Sequence, residues 1–400
     1  MAGREAVCQG CGSVFQSEHP DEPGYVPQHV LERGQTDLRC RRCFRLEHYG
    51  VKQAENRRTV PSASLAPPDA PGEVERAVAD ADAVVMVVDL WDFEGSFLPD
   101  LVAPARGPVI MVVNKVDLLP TRTPRHEVIA WVHDRARSAG VNAAEVRLIS
   151  AERGTGVKAL RKFFESEIGP RSRIALVGAV NVGKSALIRA LLPKGSSGPT
   201  TSTLPATTQH VVSHSLGRDG LTILDTPGVI PGHRIPDLLC PQCAAALVPR
   251  KRLRSKLVHM GGGKGVLFGG LAAVRCDDES LPEIVTLAFT SENVPLHYTR
   301  AARVIELLQG EGKHWLHTDC PACRSRLEEG GWEDVQYTVS EMEELAIPGL
   351  GWVSPRGGEL HVTVTVPAGA LVKLRPRLIG SKTPSRSAAP RKRTGFKSKR

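Results

Sequence analysis

Through the middle of the chain, apolar residues come in short unbroken runs rather than in alternation with polar ones. Val84 to Val88, Val109 to Val113, Val146 to Ile149, Ile174 to Val177 and Leu221 to Leu224 are such runs, with His210 to Ser215 a weaker sixth. Their length suits strands, and the lack of a polar face suits a mostly parallel sheet covered on both sides. Between them, His126 to Ala139, Val157 to Glu167 and Ser185 to Leu192 repeat apolar residues at helical spacing. The pattern predicts an α/β domain over residues 73–232, with helices on both faces of the sheet.

The flanks read differently. Residues 1–58 lack a long hydrophobic period and carry two Cys-x-x-Cys pairs among Gly, Pro and Arg, and Thr59 to Gly72, with four prolines, reads as a linker. Beyond Gly232 come a basic stretch, Arg250 to Lys256, a glycine-rich run, Gly261 to Gly270, and a helical pattern, Thr299 to Leu308. Leu360, Val362, Val364 and Val366 alternate with polar residues within Gly349 to Arg377, which predicts a small β-containing unit. Residues 233–378 are therefore expected to form an α+β region, followed by a tail, 379–400. The chain shows no internal repeat beyond the cysteine pairs.

Composition narrows the class. With 400 residues, 41% hydrophobic and 24% charged, the chain can bury a sizeable core in two to four domains. No segment approaches the eighteen or so apolar residues of a membrane helix, and Met1 to Gly10 lacks the apolar core of a signal peptide. A cytoplasmic protein without a membrane partner is expected. The formal charge of +9 is concentrated at the end, where Lys382, Arg386, Arg391, Lys392, Arg393, Lys397, Lys399 and Arg400 stand without an acid. Such a tail cannot fold alone and suits a polyanion, with a solubilising role as the alternative. An aromatic content of 4% favours electrostatic, shape-based RNA contact over base stacking.

Three motifs carry the chemistry, and their order is unusual. Gly178-Ala-Val-Asn-Val-Gly-Lys-Ser185 follows a strand and opens a helix, the setting of a phosphate loop. Its backbone N–H groups, from Gly178 through Val182 and Gly183, would surround the phosphates, with Lys184 on the β and γ oxygens and Ser185 on magnesium. Asn114-Lys115-Val116-Asp117 also follows a strand, and Asp117 can accept hydrogen bonds from the guanine N1 and N2 groups, which adenine cannot return. Ser150-Ala151, after a third strand, would add a backbone N–H to the guanine O6. Asp225-Thr-Pro-Gly228 ends a further strand, placing Asp225 for magnesium and the Gly228 N–H for the γ-phosphate. The threonine that closes over magnesium is Thr208, with Thr207 close behind. In the usual GTPase the phosphate loop leads and the base-reading motif follows; here the order is rotated. The motifs therefore predict a circularly permuted P-loop GTPase domain using GTP/GDP and magnesium. Val229 and Ile230 follow Gly228, so no side chain there can orient water. Asn181 resembles the asparagine of potassium-activated GTPases, which implies a potassium ion beside the phosphates; the alternative is that it only braces the loop.

Eight of the nine cysteines form Cys-x-x-Cys pairs, which without an export signal points to metal in a reducing cytosol. Cys8, Cys11, Cys40 and Cys43 have the spacing of one structural zinc site that replaces a core, with a redox dithiol as the alternative. Arg39, Arg41, Arg42 and Arg45 crowd its second pair and could grip phosphate. Cys240, Cys243, Cys320 and Cys323 read as a second zinc site, with free thiols or redox pairing as alternatives. Cys276 reads as a core thiol. His259, His314 and His317 are substitute ligands or ordinary histidines.

The rotated motifs, the two amino-terminal cysteine pairs, Val87-Val-Asp-Leu-Trp-Asp-Phe-Glu-Gly-Ser96 and Gly349-Leu-Gly-Trp352 together resemble the circularly permuted ribosome-assembly GTPases of the bacterial YqeH type. The likeness covers residues 5 to about 375 and is patchy between 233 and 345. The cysteine pairs at 240–243 and 320–323 depart from it. The resemblance implies a GTPase in maturation of the small ribosomal subunit, bound to 16S rRNA or its proteins; a monomer is expected. An RNA-binding scaffold that holds GTP without hydrolysis, or an RNA-modifying or metabolic GTPase, is the alternative.

Overall fold

The structure, a computed structural model, describes residues 6–20, 22–32, 38–44, 70–120, 123–193, 210–216, 220–309 and 320–380. Arg45, Thr207, Thr208, His314, His317, most of the proline stretch and the basic residues from Ser381 lie outside the described residues.

The apolar runs become strands: β1 (Ala83–Asp89), β2 (Val109–Asn114), β3 (Ala143–Leu148), β4 (Arg173–Val177), β5 (Val212–Ser215) and β6 (Thr222–Asp225). They form one sheet in the order β3-β2-β1-β4-β6-β5, parallel throughout except for β5 at the edge. Side chains of β1 alternate between two cores. Val84, Met86 and Val88 pack with Val74, Val78, Trp131 and Val132 on one face, and Val85 and Val87 with Leu160, Phe164, Leu187 and Ile188 on the other. The helices Ala70–Ala79 and Arg125–Ser138 thus cover one face, Val157–Phe163 and Lys184–Leu191 the other. Each such buried aliphatic side chain contributes about 1.5–3 kcal/mol, so a strand without a polar face needs both helical layers. The weaker sixth run is the antiparallel edge strand β5. The helix expected to reach Glu167 changes to a wider turn at Phe164–Ile168 and stops at Gly169, whose φ is +90°.

After β6 the chain builds a second body from β7 (Arg254–Met260), β8 (Lys264–Phe268), β9 (Ala272–Arg275), β10 (Ile284–Thr290), β11 (Leu296–Arg300), β12 (Trp332–Val339), β13 (Glu343–Ile347), β14 (Gly351–Arg356), β15 (Leu360–Pro367) and β16 (Lys373–Pro376). Two five-stranded antiparallel sheets result, β16-β13-β14-β10-β7 and β11-β8-β9-β15-β12. They share one core: Met260, Ala288, Leu345 and Val353 from the first meet Val266, Val274 and Val364 from the second. The small unit expected over Gly349 to Arg377 is not separate. Its strands are divided, β14 pairing with β10 and β13, and β15 with β9 and β12. Alternation marks a half-buried strand but does not name its partner. The expected helix at Thr299 begins instead at Ala301, because β11 takes residues up to Arg300.

The two bodies meet over a buried seam. Trp91 and Leu118 pack with Leu253, Phe289, Ala346 and Trp352, and the Phe289 and Trp352 rings stack at 4.8 Å. Leu253 N–H donates to Leu118 O at 2.7 Å, and Trp131 Nε1 to Pro376 O at 2.9 Å. Leu378 is buried against the first sheet, Ile379 packs beside it, and Ile379 O accepts from Arg356 Nη2 at 3.0 Å. Among the described residues no helix is long and apolar enough to cross a membrane.

Candidate functional site

Parallel strands open their carboxyl ends on one side, and ligands of such sheets bind there. The register levels those ends, Asp89 standing beside Asn114 and Leu176 beside Asp225. Four loops therefore converge: Gly178–Ser185 after β4, Asn114–Asp117 at the end of β2, Ser150–Ala151 after β3, and Asp225–Gly228 at the end of β6.

Asn114 ties two of them. It is 2% exposed, its Nδ2 donates to Val182 O at 2.8 Å, and its Oδ1 accepts from Ala151 N–H at 2.9 Å. Gly183 must be glycine for this contact, since its φ is +96° and a Cβ would lie 2.3 Å from Asn114 Nδ2. Lys115 adopts φ +63° and pairs with Asp89 at 2.5 Å. Burial pushes the Asp89 carboxyl up, and Lys115 opposes that shift. Asp117 meets Arg153 Nε at 3.3 Å, so the carboxylate expected to read guanine faces a nitrogen donor.

Lys184 heads its helix and donates to Gly178 O at 2.8 Å and Ala179 O at 3.2 Å. Burial pushes its ammonium down to about 8, with Asp225 opposing, and an adjacent phosphate would favour its charged form again. A Cβ on Gly228 would lie 3.2 Å from Lys184 Nζ, so the Asp225–Gly228 backbone runs beside the ammonium. The two loops are joined: Val180 N–H donates to Val229 O at 2.9 Å, and Val229 N–H to Gly178 O at 3.2 Å. Asn181 is left-handed, φ +64°. The Ser185 hydroxyl, the Asp225 carboxylate, Lys184 and the helix N-terminus are a donor set that fits a magnesium nucleotide.

Sequence reasoning missed the layer beneath the loops. Arg234, 5% exposed, pairs with Asp237 at 2.7 Å and lies near Asp92 at 3.8 Å. Asp92, pushed up to about 7 mainly by burial, accepts from Gly349 N–H at 2.7 Å. Asp92 lies in the Val87–Ser96 motif and Gly349 opens the Gly349–Trp352 motif. Asp237, three residues after Arg234, was the one local signal that this charge had a partner.

Both cysteine sets are assembled. The sulfurs of Cys8, Cys11, Cys40 and Cys43 lie within 4.8 Å of one another, as do those of Cys240, Cys243, Cys320 and Cys323. Cys11 Sγ and Cys40 Sγ are 3.7 Å apart, close to the ~3.8 Å edge of a thiolate tetrahedron with ~2.3 Å zinc–sulfur bonds. Cys40 N–H donates to Cys8 Sγ at 3.3 Å, and Cys240 N–H to Cys323 Sγ at 3.2 Å. In the second set each pair opens a helix, Pro241–Leu247 or Pro321–Gly330. Both sets could hold zinc. Cys276 is buried, its thiol pushed up to about 11 by desolvation, and His259 is exposed on β7. Arg41 lies over the Tyr25 ring at 5.9 Å.

A family model described as a 50S ribosome-binding GTPase matches residues 173–247, from β4 through the helix Pro241–Leu247. With the strand-end motifs in rotated order, the fold and site define a GTP-hydrolysing P-loop enzyme of circularly permuted type. The chain is similar over most of its length to YqeH of Bacillus subtilis (strain 168): 29% identical over 383 residues, covering 94% of this chain and 100% of that protein. NO-associated protein 1, chloroplastic/mitochondrial, of Arabidopsis thaliana is 27% identical over 437 residues, 93% of this chain and 76% of the relative. Among solved structures, YjeQ from Thermotoga maritima matches with a TM-score of 0.26 and 22% identity, over 37% of this chain and 48% of that one.

Proposed function

We propose that this GTPase is a cytoplasmic, monomeric ribosome-assembly factor that acts on the small subunit through 16S rRNA or its proteins. Lys184 and the N–H groups of Gly178–Ser185 hold the phosphates, Asn114, Lys115, Asp117, Ser150 and Ala151 read guanine, and Ser185, Thr208 and Asp225 serve magnesium. Asn181 supports potassium where a water-orienting glutamine is missing. Zinc in Cys8, Cys11, Cys40 and Cys43 holds the amino-terminal module over residues 1–58, ahead of a GTPase domain over 73–232 and a C-terminal region over 233–378, and Cys240, Cys243, Cys320 and Cys323 take a second ion. GTP and GDP states place the outer regions differently on an RNA-rich partner.

The junction after Gly228 carries this reading. Val229 pairs with the phosphate loop, and a few residues later Ile235 N–H donates to Pro348 O at 3.1 Å while His233 O accepts from Leu371 N–H at 2.8 Å. The segment that would sense the γ-phosphate is thus the root of the second body. An RNA-rich partner is supported by the description of the matching family model, a 50S ribosome-binding GTPase, and by exposed Arg250, Lys251, Arg252, Arg254 and Lys256 at the edge of the second body. The test is sedimentation of tagged full-length protein with ribosomal particles. Comigration with the small subunit in the GTP-analogue state and its reduction in the GDP state are expected. Comigration with the large subunit alone, or with neither subunit in either state, would overturn the proposal.

A further inference from the structure

Arg234 is buried, yet its guanidinium ends against the backbone of the phosphate loop: Nη1 donates to Val180 O at 3.3 Å. The rest of the group is fixed from behind. Nε and Nη2 donate to the two oxygens of Asp237 at 3.1 and 2.7 Å. Asp237 Oδ2 also accepts from the N–H groups of Gly232 at 3.1 Å and Arg234 at 3.2 Å, closing the turn from which Arg234 projects. Asp92, on the far side, holds Gly349 N–H. Gly95 leaves the room: a Cβ there would lie 2.6 Å from Arg234 Cδ.

Val180 is consequently held at both ends of its backbone, its N–H by Val229 O and its carbonyl by Arg234. A trans peptide directs its C=O and the following N–H to opposite sides. Fixing the Val180 carbonyl on Arg234 therefore turns the Asn181 N–H away from Arg234, and Asn181 is the residue that takes left-handed φ. A phosphate loop works by presenting N–H groups, and a peptide free to rotate would at times present an oxygen instead. We propose that Arg234 is a positioning residue for GTP binding and hydrolysis: a strut from the root of the second body that locks the phosphate loop in its anion-binding conformation. The inference rests on the proposed nucleotide site and adds the device that orders it. It is local to the phosphates, because the guanine-reading loops are tied through Asn114 and not through Arg234.

The test compares GDP, GTP and ADP affinities and single-turnover GTP hydrolysis for the full chain and for Arg234→Met and Arg234→Lys. The strut predicts a loss of at least tenfold in GDP and GTP affinity for Arg234→Met, slower hydrolysis, and an unchanged preference for GDP over ADP. Arg234→Lys, which keeps the charge but not the forked donor set, recovers part of the loss. Affinity and hydrolysis within twofold of wild type in Arg234→Met would overturn the inference. If that variant does not fold, Arg234→Lys decides, since wild-type GDP affinity there excludes a role for the fork. A wild-type chain that binds ADP as well as GDP would sink the nucleotide-site assignment instead, a result distinct from failure of the strut.

Discussion

Replacing Asn114 by alanine removes the clamp between the phosphate loop and the Ser150–Ala151 turn. Two hydrogen bonds are lost, 2.8 Å to Val182 O and 2.9 Å from Ala151 N–H, and both partners stay behind in a site where the residue itself is 2% exposed. A buried group left unpaired costs about 1–3 kcal/mol, so the pair costs about 2–6, toward the low end where water enters. If about 2 kcal/mol of that must be supplied on binding to reorder the loops, GDP affinity falls roughly thirtyfold. Asn114→Asp separates hydrogen bonding from volume: it keeps an acceptor for Ala151 N–H but sets an oxygen against Val182 O, so it should bind no better than alanine. Gly183→Ala should act alike, because its Cβ would crowd Asn114 Nδ2 at 2.3 Å. Titration with a fluorescent guanine nucleotide, alongside denaturant unfolding, gives both numbers. GDP affinity within twofold of wild type in Asn114→Asp would refute the clamp.

Asp117→Asn replaces an acceptor by a donor toward the base, so GTP affinity should fall about ten- to a hundredfold while xanthosine triphosphate, which carries a carbonyl in place of the 2-amino group, gains; competition binding checks it. Zinc removal should unfold the first module, whose buried apolar core among the described residues is Cys8, Cys11, Cys40, Cys43 and Val26. Because His210 N–H donates to Cys11 O at 3.0 Å, hydrogen exchange at His210 should then rise; unchanged protection would contradict that link. His214 on β5 is pushed down to about 4 by burial. Between pH 6.5 and 4 the unfolded chain binds this proton and the fold does not, so stability is full above 6.5 and falls with pH by at most about 3 kcal/mol. His214→Gln should flatten that part of a pH-dependent melt.

The nucleotide domain was legible because its information is local. Each apolar run of β1, β2 and β4 needs no partner to be recognised, and each motif sits directly after its strand, so the order of motifs carried the permutation. The second body was not legible in this way. β10 and β14 pair across more than sixty residues, and nothing in Gly351 to Arg356 specifies which strand it will meet. Arg234 and Asp92 show the same limit at the site: 142 positions apart, each looks like a solvated charge, and only the close approach allowed by Gly95 makes them one buried network. The second cysteine set lies between these cases, legible as pairs but joined only by the fold.

In the proposed coupling, the γ-phosphate state, read at Gly228 and Val229, is passed to the placement of the second body. Distance measurement between labels at exposed Ser138 in the first body and exposed Glu333 in the second tests it directly, with noncanonical residues sparing the cysteine thiols. The distance distribution is expected to shift between the GTP-analogue and GDP forms. Superimposable distributions in the two nucleotide states would contradict it.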